Sequence, residues 1–214
     1  MSGYDPIKMG CLCNDCPLQG KRVVPPTGNY EADVVIVGEA PGYMEEQKGM
    51  PFVGPAGAEL NSILDRVGLS RERIFTSYAL LCRPEVPNLT GAKQYDLPTY
   101  LAWVRKENVI RKKAAKAAKT TPELLSNPLD CCAPRLTREL MWFDGQARKR
   151  GRPNGVVVVP VGNFAALSVI GKSGITKLRG SPIPLEVPGL PILPSEEGDT
   201  VDEDGNVEVG ANSP

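Results

Sequence analysis

Hydrophobic residues along this chain switch between two periods. Asp33-Val34-Val35-Ile36-Val37 is a β-branched run of strand length, so a strand is expected over 33–37, broken at Gly38. After a Gly- and Pro-rich loop, Leu60, Ile63, Leu64 and Val67 fall at i, i+3, i+4 and i+7, the stripe of a helix stopped by Gly68. Ile74 to Leu81 reads as a second strand and Pro98 to Lys119 as a helix. Pro134 to Arg150 reads as another helix, with Pro134 near its start and Leu136, Leu140 and Phe143 on one side. Gly155 to Gly162 is a buried-type strand entering a glycine turn, Asn163 to Ile170 a short helix, and Leu190 to Leu193 the last strand. Strands alternating with helices place the chain in the α/β class.

The loop after the first strand is about twenty residues long, a length that in a compact domain is more often functional than idle. Strand, glycine-rich loop and helix is how α/β proteins present main-chain N–H groups at the end of a sheet. Neither GxGxxG nor GxxxxGK[ST] can be read from it. Gly38-Glu39-Ala40-Pro41-Gly42, Glu45-Glu46, Gly49-Met50-Pro51-Phe52-Val53-Gly54 and Ala56-Gly57 resemble the first motif of the iron–sulfur uracil-DNA glycosylases, roughly GEAPGxxEDxxGxPFVGxAG.

That resemblance implies a three-layer α/β/α sandwich around a central, mostly parallel four-stranded sheet. It also implies flipping a uracil out of DNA onto an aromatic face, where water attacks C1′ of the deoxyribose. On this chain the implied platform is Phe52, with Gly38, Ala40 and Gly42 as main-chain contacts and Glu39 as the polar catalytic residue. Where the family has an Asn that reads the uracil edge, this chain has Tyr78, a larger side chain with a single hydroxyl. Tyr78 is expected to contact the base or to fill the pocket.

Six cysteines without a secretion signal suggest metal or cluster ligation rather than disulfides. Cys13-Asn14-Asp15-Cys16 is a CxxC, a spacing shared by zinc knuckles, redox pairs and cluster sites. The resemblance implies a four-iron (4Fe–4S) cluster held by Cys13, Cys16, Cys82 and Cys132, the last two lying in LCRP and CAPRL segments like those of the family. Zinc on the same thiolates is the alternative; Cys11 and Cys131 read as small buried thiols outside the set.

Charge sharpens the picture. The 25 acidic and 25 basic residues balance, yet seven acids and no base lie after Pro194, which leaves a body with 25 bases against 18 acids. Residues 1–194 are therefore expected to form one domain with an N-terminal cluster-binding arm, and 195–214 an acidic, disordered tail. The fifty positions between Cys82 and Cys132 exceed the family's spacing and hold a basic helical insertion at about 85–130, where Lys112, Lys113 and Lys116 suit phosphate contacts. Lys177-Leu178-Arg179-Gly180 matches the family's KxRG segment, so Lys177 and Arg179 are further DNA candidates. The chain has no histidine, which excludes imidazole chemistry and removes the family's His-Pro-Ser loop; Leu193-Pro194 runs straight into the acidic tail.

Two functions stay open. One is a uracil-DNA glycosylase-like enzyme of base-excision repair with reduced activity or altered specificity. The other is a catalytically silent iron–sulfur module that binds DNA, with replication or repair proteins as partners. No apolar run reaches membrane-spanning length, and the expected place is the cytoplasm of a prokaryotic or phage-infected cell.

Overall fold

The computed structural model describes residues 4–178, with short pieces at 182–183, 200–201 and 207–208. Four strands, β1 (Thr27–Gly28), β2 (Val34–Gly38), β3 (Phe75–Tyr78) and β4 (Val157–Pro160), form one sheet in the order β1–β3–β2–β4. β2 is parallel to both neighbours, Ile36 facing Thr76 in β3 and Val159 in β4, while β1 is antiparallel to β3. A separate antiparallel pair joins Thr200–Val201 to Val207–Glu208.

Alternation along β2 divides the interior in two. Val35 and Val37 pack with Phe75, Leu136, Leu140, Phe143, Ala165 and Val169 on one face. Ile36 points the other way, into a larger core with Phe52, Leu60, Leu64, Tyr78, Tyr100 and Leu129. Two apolar layers on opposite faces of one sheet are the expected three-layer α/β/α sandwich.

The helices are α1 (Tyr43–Lys48), α2 (Pro55–Arg66), α3 (Leu97–Ala118), α4 (Pro128–Lys149), α5 (Asn163–Ile170) and α6 (Ile175–Leu178). Three sequence expectations need correction. The long loop is not irregular throughout, since it contains α1. The buried line of α2 is Gly57, Leu60 and Leu64, while Ile63 and Val67 are exposed. α4 starts a full turn and more before Pro134, because Asn127 accepts the Leu129 N–H at 3.1 Å and Pro128 occupies the first helical position, where its missing N–H costs nothing. Pro134 is thus interior to the helix.

The insertion packs as part of the body. The Asp96 carboxylate caps α3 by accepting the Thr99 N–H at 3.0 Å, and Leu97, Tyr100, Leu101 and Val104 enter the core that holds Cys132. The expected strand at 190–193 and most of the acidic tail lie outside the described residues. Among those described, no helix is long and apolar enough to cross a membrane.

Candidate base-recognition site and thiol centre

The loop between β2 and α2 is held from within by Glu45, a carboxylate only 5% exposed. One oxygen accepts the Val53 and Gly54 N–H groups at 3.0 and 2.7 Å; the other accepts Gly42 N–H at 3.2 Å. Three amides are thereby drawn inward, so Gly42 N–H is not a free donor at the surface of the site. Glu45 was visible in the sequence only as part of a motif, with no signal that it would be the loop's organising anion.

Phe52 follows in a left-handed backbone conformation, φ 53°, which is costly for an aromatic residue. The conformation is pinned at both ends: Phe52 N–H donates to the Tyr78 hydroxyl at 2.9 Å, and Arg71 donates to the Phe52 carbonyl at 2.6 Å. The Arg71 guanidinium also lies 5.7 Å from the ring centroid, within cation–π range. Gly57 is required beneath this turn, since a Cβ there would run into the Phe52 carbonyl.

These constraints aim the Phe52 ring at the end of β2. A Cβ on Gly38 would lie 2.8 Å from Phe52 Cζ and 2.6 Å from Tyr78 Cε1, so glycine is what lets both rings close on the strand. The Tyr78 ring stacks on Phe52 at 5.0 Å and 25°. Tyr78 is thus in direct contact with Phe52 through both its ring and its hydroxyl. Burial pushes its phenol above the ordinary tyrosine range. Beside the Phe52 loop, between α2 and the β1 edge, opens a cavity of about 570 Å³ whose walls include Thr27, Lys48, Asn61, Arg71 and Thr76.

Glu39, the next residue along from Gly38, turns toward α5. Its carboxylate accepts the Phe164 N–H at 3.0 Å, filling the place of the side-chain cap that Gly162 lacks. Ala40 packs at the margin of the larger core.

Behind the β3 end, the cysteines converge from three parts of the chain. Cys13 and Cys16 flank a single 3-10 turn (Cys13–Asp15), Cys82 follows β3, and Cys131 and Cys132 lie in the first turns of α4. Leu12 N–H donates to the Cys131 carbonyl and Val24 N–H to the Leu81 carbonyl, both at 2.8 Å, so the arm is tied to α4 and to the β3 end. Burial, with Cys132 and Cys13 nearby, pushes the Cys82 thiol up to about 12; burial does the same to Cys16, also to about 12. Cys11 hydrogen-bonds Cys132 and rises, while the same contact, helped by Arg135, holds Cys132 below its ordinary value. Cys131 likewise meets Cys16, so both thiols left out of the expected ligand set touch members of it. Among the described residues, no three Cys, Asp or Glu side chains are drawn together tightly enough to enclose one metal ion.

Two arginines border the thiols, and neither was singled out in the sequence. Arg83 pairs with Glu46 at 3.1 Å and stacks on Tyr95 at 3.5 Å. Arg135, wholly buried, bonds Glu139, Ser77 and the carbonyls of Tyr78 and Ala79. The available signal was an Arg–Glu pair four apart within the apolar phase of α4.

The DNA candidates lie elsewhere. Lys112, Lys113 and Lys116 are exposed on α3, Lys177 is exposed on α6, and Arg179 is outside the described residues.

The site thus lies in a three-layer α/β/α domain, where a glycine-rich loop holds an aromatic ring at the end of β2. A family model described as the uracil DNA glycosylase superfamily matches residues 25–196, and the chain belongs to that superfamily. Three relatives are each called type-4 uracil-DNA glycosylase. Those of Archaeoglobus fulgidus, Pyrobaculum aerophilum and Thermotoga maritima are 46%, 45% and 42% identical over 74 residues, 34% of this chain. The matched segments span 37%, 38% and 38% of those relatives, well under half their length.

Proposed function

We propose that this chain is a uracil-DNA glycosylase-type DNA-repair protein, acting in the cytoplasm of a prokaryotic or phage-infected cell, whose base pocket is built and kept shut by Tyr78. The observation that carries this reading is Phe52. Its main chain is forced into a strained conformation, clamped by Arg71 and Tyr78, and its ring is delivered to the end of β2, where Gly38 leaves room. Strain held by several independent contacts is a mark of functional sites. A flipped base would take the place of the Tyr78 ring on Phe52, the phenol swinging aside.

Excision is then slow for two reasons. The closed state must be opened first, and the departing uracil anion meets no imidazole, because the chain has no histidine. Losing one donor aimed at developing charge costs roughly 100- to 1000-fold in rate. Glu39 is the motif's candidate catalytic acid; with its carboxylate held by the Phe164 N–H of α5, it would orient water.

The thiol centre fits a four-iron cluster in donor chemistry: the four sulfurs of Cys13, Cys16, Cys82 and Cys132, with no imidazole in the chain and cationic Arg135 alongside. Bound there, the cluster would cross-link the N-terminal arm to β3 and α4, which is a structural service. Zinc on the same set is the alternative that metal analysis separates. The basic face of α3, with Lys112, Lys113 and Lys116, and Lys177 with Arg179 would track the DNA backbone.

A second reading, a catalytically silent DNA-binding iron–sulfur module, is favoured by the same Tyr78 stacking and the missing histidine. Its partners would be DNA and proteins of replication or repair. Incubating stoichiometric protein with a uracil-containing single-stranded oligonucleotide, followed by alkali, distinguishes the two. Strand cleavage at uracil establishes the glycosylase; intact strand with retained DNA binding establishes the silent module.

A further inference from the structure

Arg135 leads the described residues in size among wholly buried side chains. Its guanidinium has five N–H donors. Nη1 donates to Ser77 Oγ and Glu139 Oε2, each at 2.9 Å, and Nη2 to the Tyr78 and Ala79 carbonyls at 2.7 and 3.2 Å. The fifth, Nε–H, is buried and has no partner among the described residues. An orphaned buried donor costs about 1–3 kcal/mol, so a native position that keeps one points to an acceptor the bare chain does not supply.

The acceptor within reach is sulfur. Side chains on a helix lean toward its N-terminus, so the Arg135 stem lies over the turn of α4 that carries Cys132, three residues earlier and also buried. The two side chains are in contact. A neutral thiol accepts hydrogen bonds weakly; a thiolate bound to iron keeps its lone pairs and a larger negative charge. We propose that Arg135 donates its Nε–H to the Cys132 sulfur in the iron-loaded protein and thereby sets the cluster's reduction potential, as a positioning residue and not a ligand. The proposal rests on the cluster reading above. Hydrogen bonds to cluster sulfurs and nearby charge are the recognised means by which a protein moves this potential.

The surroundings keep the guanidinium charged and fixed. Burial alone would push it toward losing its proton; Glu139, and then Cys132, more than reverse that. Tyr4 of the N-terminal arm donates to Glu139 at 2.9 Å, so the arm completes the anion's shell. Because the same guanidinium holds the carbonyls of Tyr78 and Ala79, one side chain serves both the thiol centre and the residue that closes the base pocket.

A cation and an N–H donor both stabilise the more negative, reduced cluster, so removing them should favour the oxidised form. The test uses the full chain, isolated without oxygen, with arginine labelled in ¹⁵N. Iron analysis comes first, and a wild-type protein without iron overturns the cluster reading and this proposal with it. In iron-loaded wild type, brought to its paramagnetic state by chemical reduction or oxidation, pulsed EPR should show a ¹⁵N coupling. That coupling should vanish in Arg135→Lys and persist in Arg83→Lys, which alters the other arginine bordering the thiols. The reduction potential of Arg135→Met should fall by at least a tenfold change in the equilibrium, about 59 mV for one electron. Iron-loaded wild type with no arginine coupling, or a coupling that survives in Arg135→Lys, overturns the proposal with the cluster intact. The wild-type spectrum decides the matter even where Arg135→Met fails to fold.

Discussion

Tyr78 lies on Phe52 with ring centroids 5.0 Å apart and accepts the Phe52 N–H through its hydroxyl at 2.9 Å, so one side chain both covers the aromatic face and fixes the strained main chain beneath it. Tyr78→Asn should uncover that face and place an amide, with donor and acceptor together, at the end of β3. The expected result is a gain in uracil excision from a single-stranded oligonucleotide, measured as alkali-labile cleavage per chain. It should come with a loss of stability of about 2–4 kcal/mol for truncating a buried aromatic. An uncovered pocket with no gain in cleavage or in affinity for uracil-containing over thymine-containing strands would remove Tyr78 as the gate.

Glu45 makes a second, separable prediction. Its two oxygens collect three main-chain N–H groups of the same loop. Glu45→Gln keeps one acceptor oxygen and replaces the other with a donor facing amides, so about 1–3 kcal/mol should be lost. Urea midpoints would read this. Limited proteolysis should show new cleavage between residues 43 and 54, whereas Glu46→Gln, which only loosens Arg83, should leave the loop resistant.

β2 was legible because it is a β-branched run buried on both faces, and the loop because its residues follow a family motif across twenty positions. β4 was expected as a buried strand, but Val157 and Val159 are exposed, and the two-residue β1 is too short to leave a pattern. The start of α4 was not read correctly: Pro134 drew attention as a helix opener, while Asn127-Pro128, the true cap and first position, sits in a polar stretch that resembles a linker. What the side chains do to one another could not be read at all. Nothing in the spacing says that Tyr78 would fold onto Phe52 instead of standing clear, or that Glu39 would turn to α5, because both depend on long-range contacts between β2, β3 and α5. Arg135 was hidden for a related reason, since a charge in an apolar helix face reads as surface until its partners Glu139, Ser77 and Tyr4 are seen together.

Removal of one thiol tests the metal reading directly. Cys82 is joined to the arm by its bridge with Val23, and Cys82→Ala should leave the protein colourless, with iron well below the roughly four atoms per chain of a filled cluster. The midpoint of unfolding should fall with it, because the arm loses its cross-link. Cys11→Ala should keep both iron and colour. Retention of full iron by Cys82→Ala would take that residue out of the ligand set.

Asp33, at the threshold of β2, receives Arg150 at 2.9 Å and Arg152 at 2.5 Å from the far end of α4. Arg150 first, then Arg152, hold its carboxyl below the ordinary aspartate range. A folded-state value lower than the unfolded one means the contribution is present above about pH 4 and is lost as pH falls through the depressed folded value. Asp33→Asn should therefore be less stable than wild type near neutral pH, with the gap closing as pH is lowered from about 7 toward 3. A gap that stays constant with pH would mean that the carboxylate's charge contributes nothing.

The insertion's role is decided by salt. α3 buries Tyr100, Leu101 and Val104 and leaves Lys112, Lys113 and Lys116 in solvent, which suits either a well-solvated helix or a track for phosphates. Counterion release separates these, because each phosphate contact on a single strand contributes about 0.7 to the slope of log affinity against log salt. Replacing the three lysines together with alanine should weaken single-stranded DNA binding equally for all sequences and flatten that slope by about 2. The fold should be untouched, as alanine suits exposed helix positions. An unchanged slope would assign the basic face to solubility and leave DNA contact to Lys177 and its neighbours.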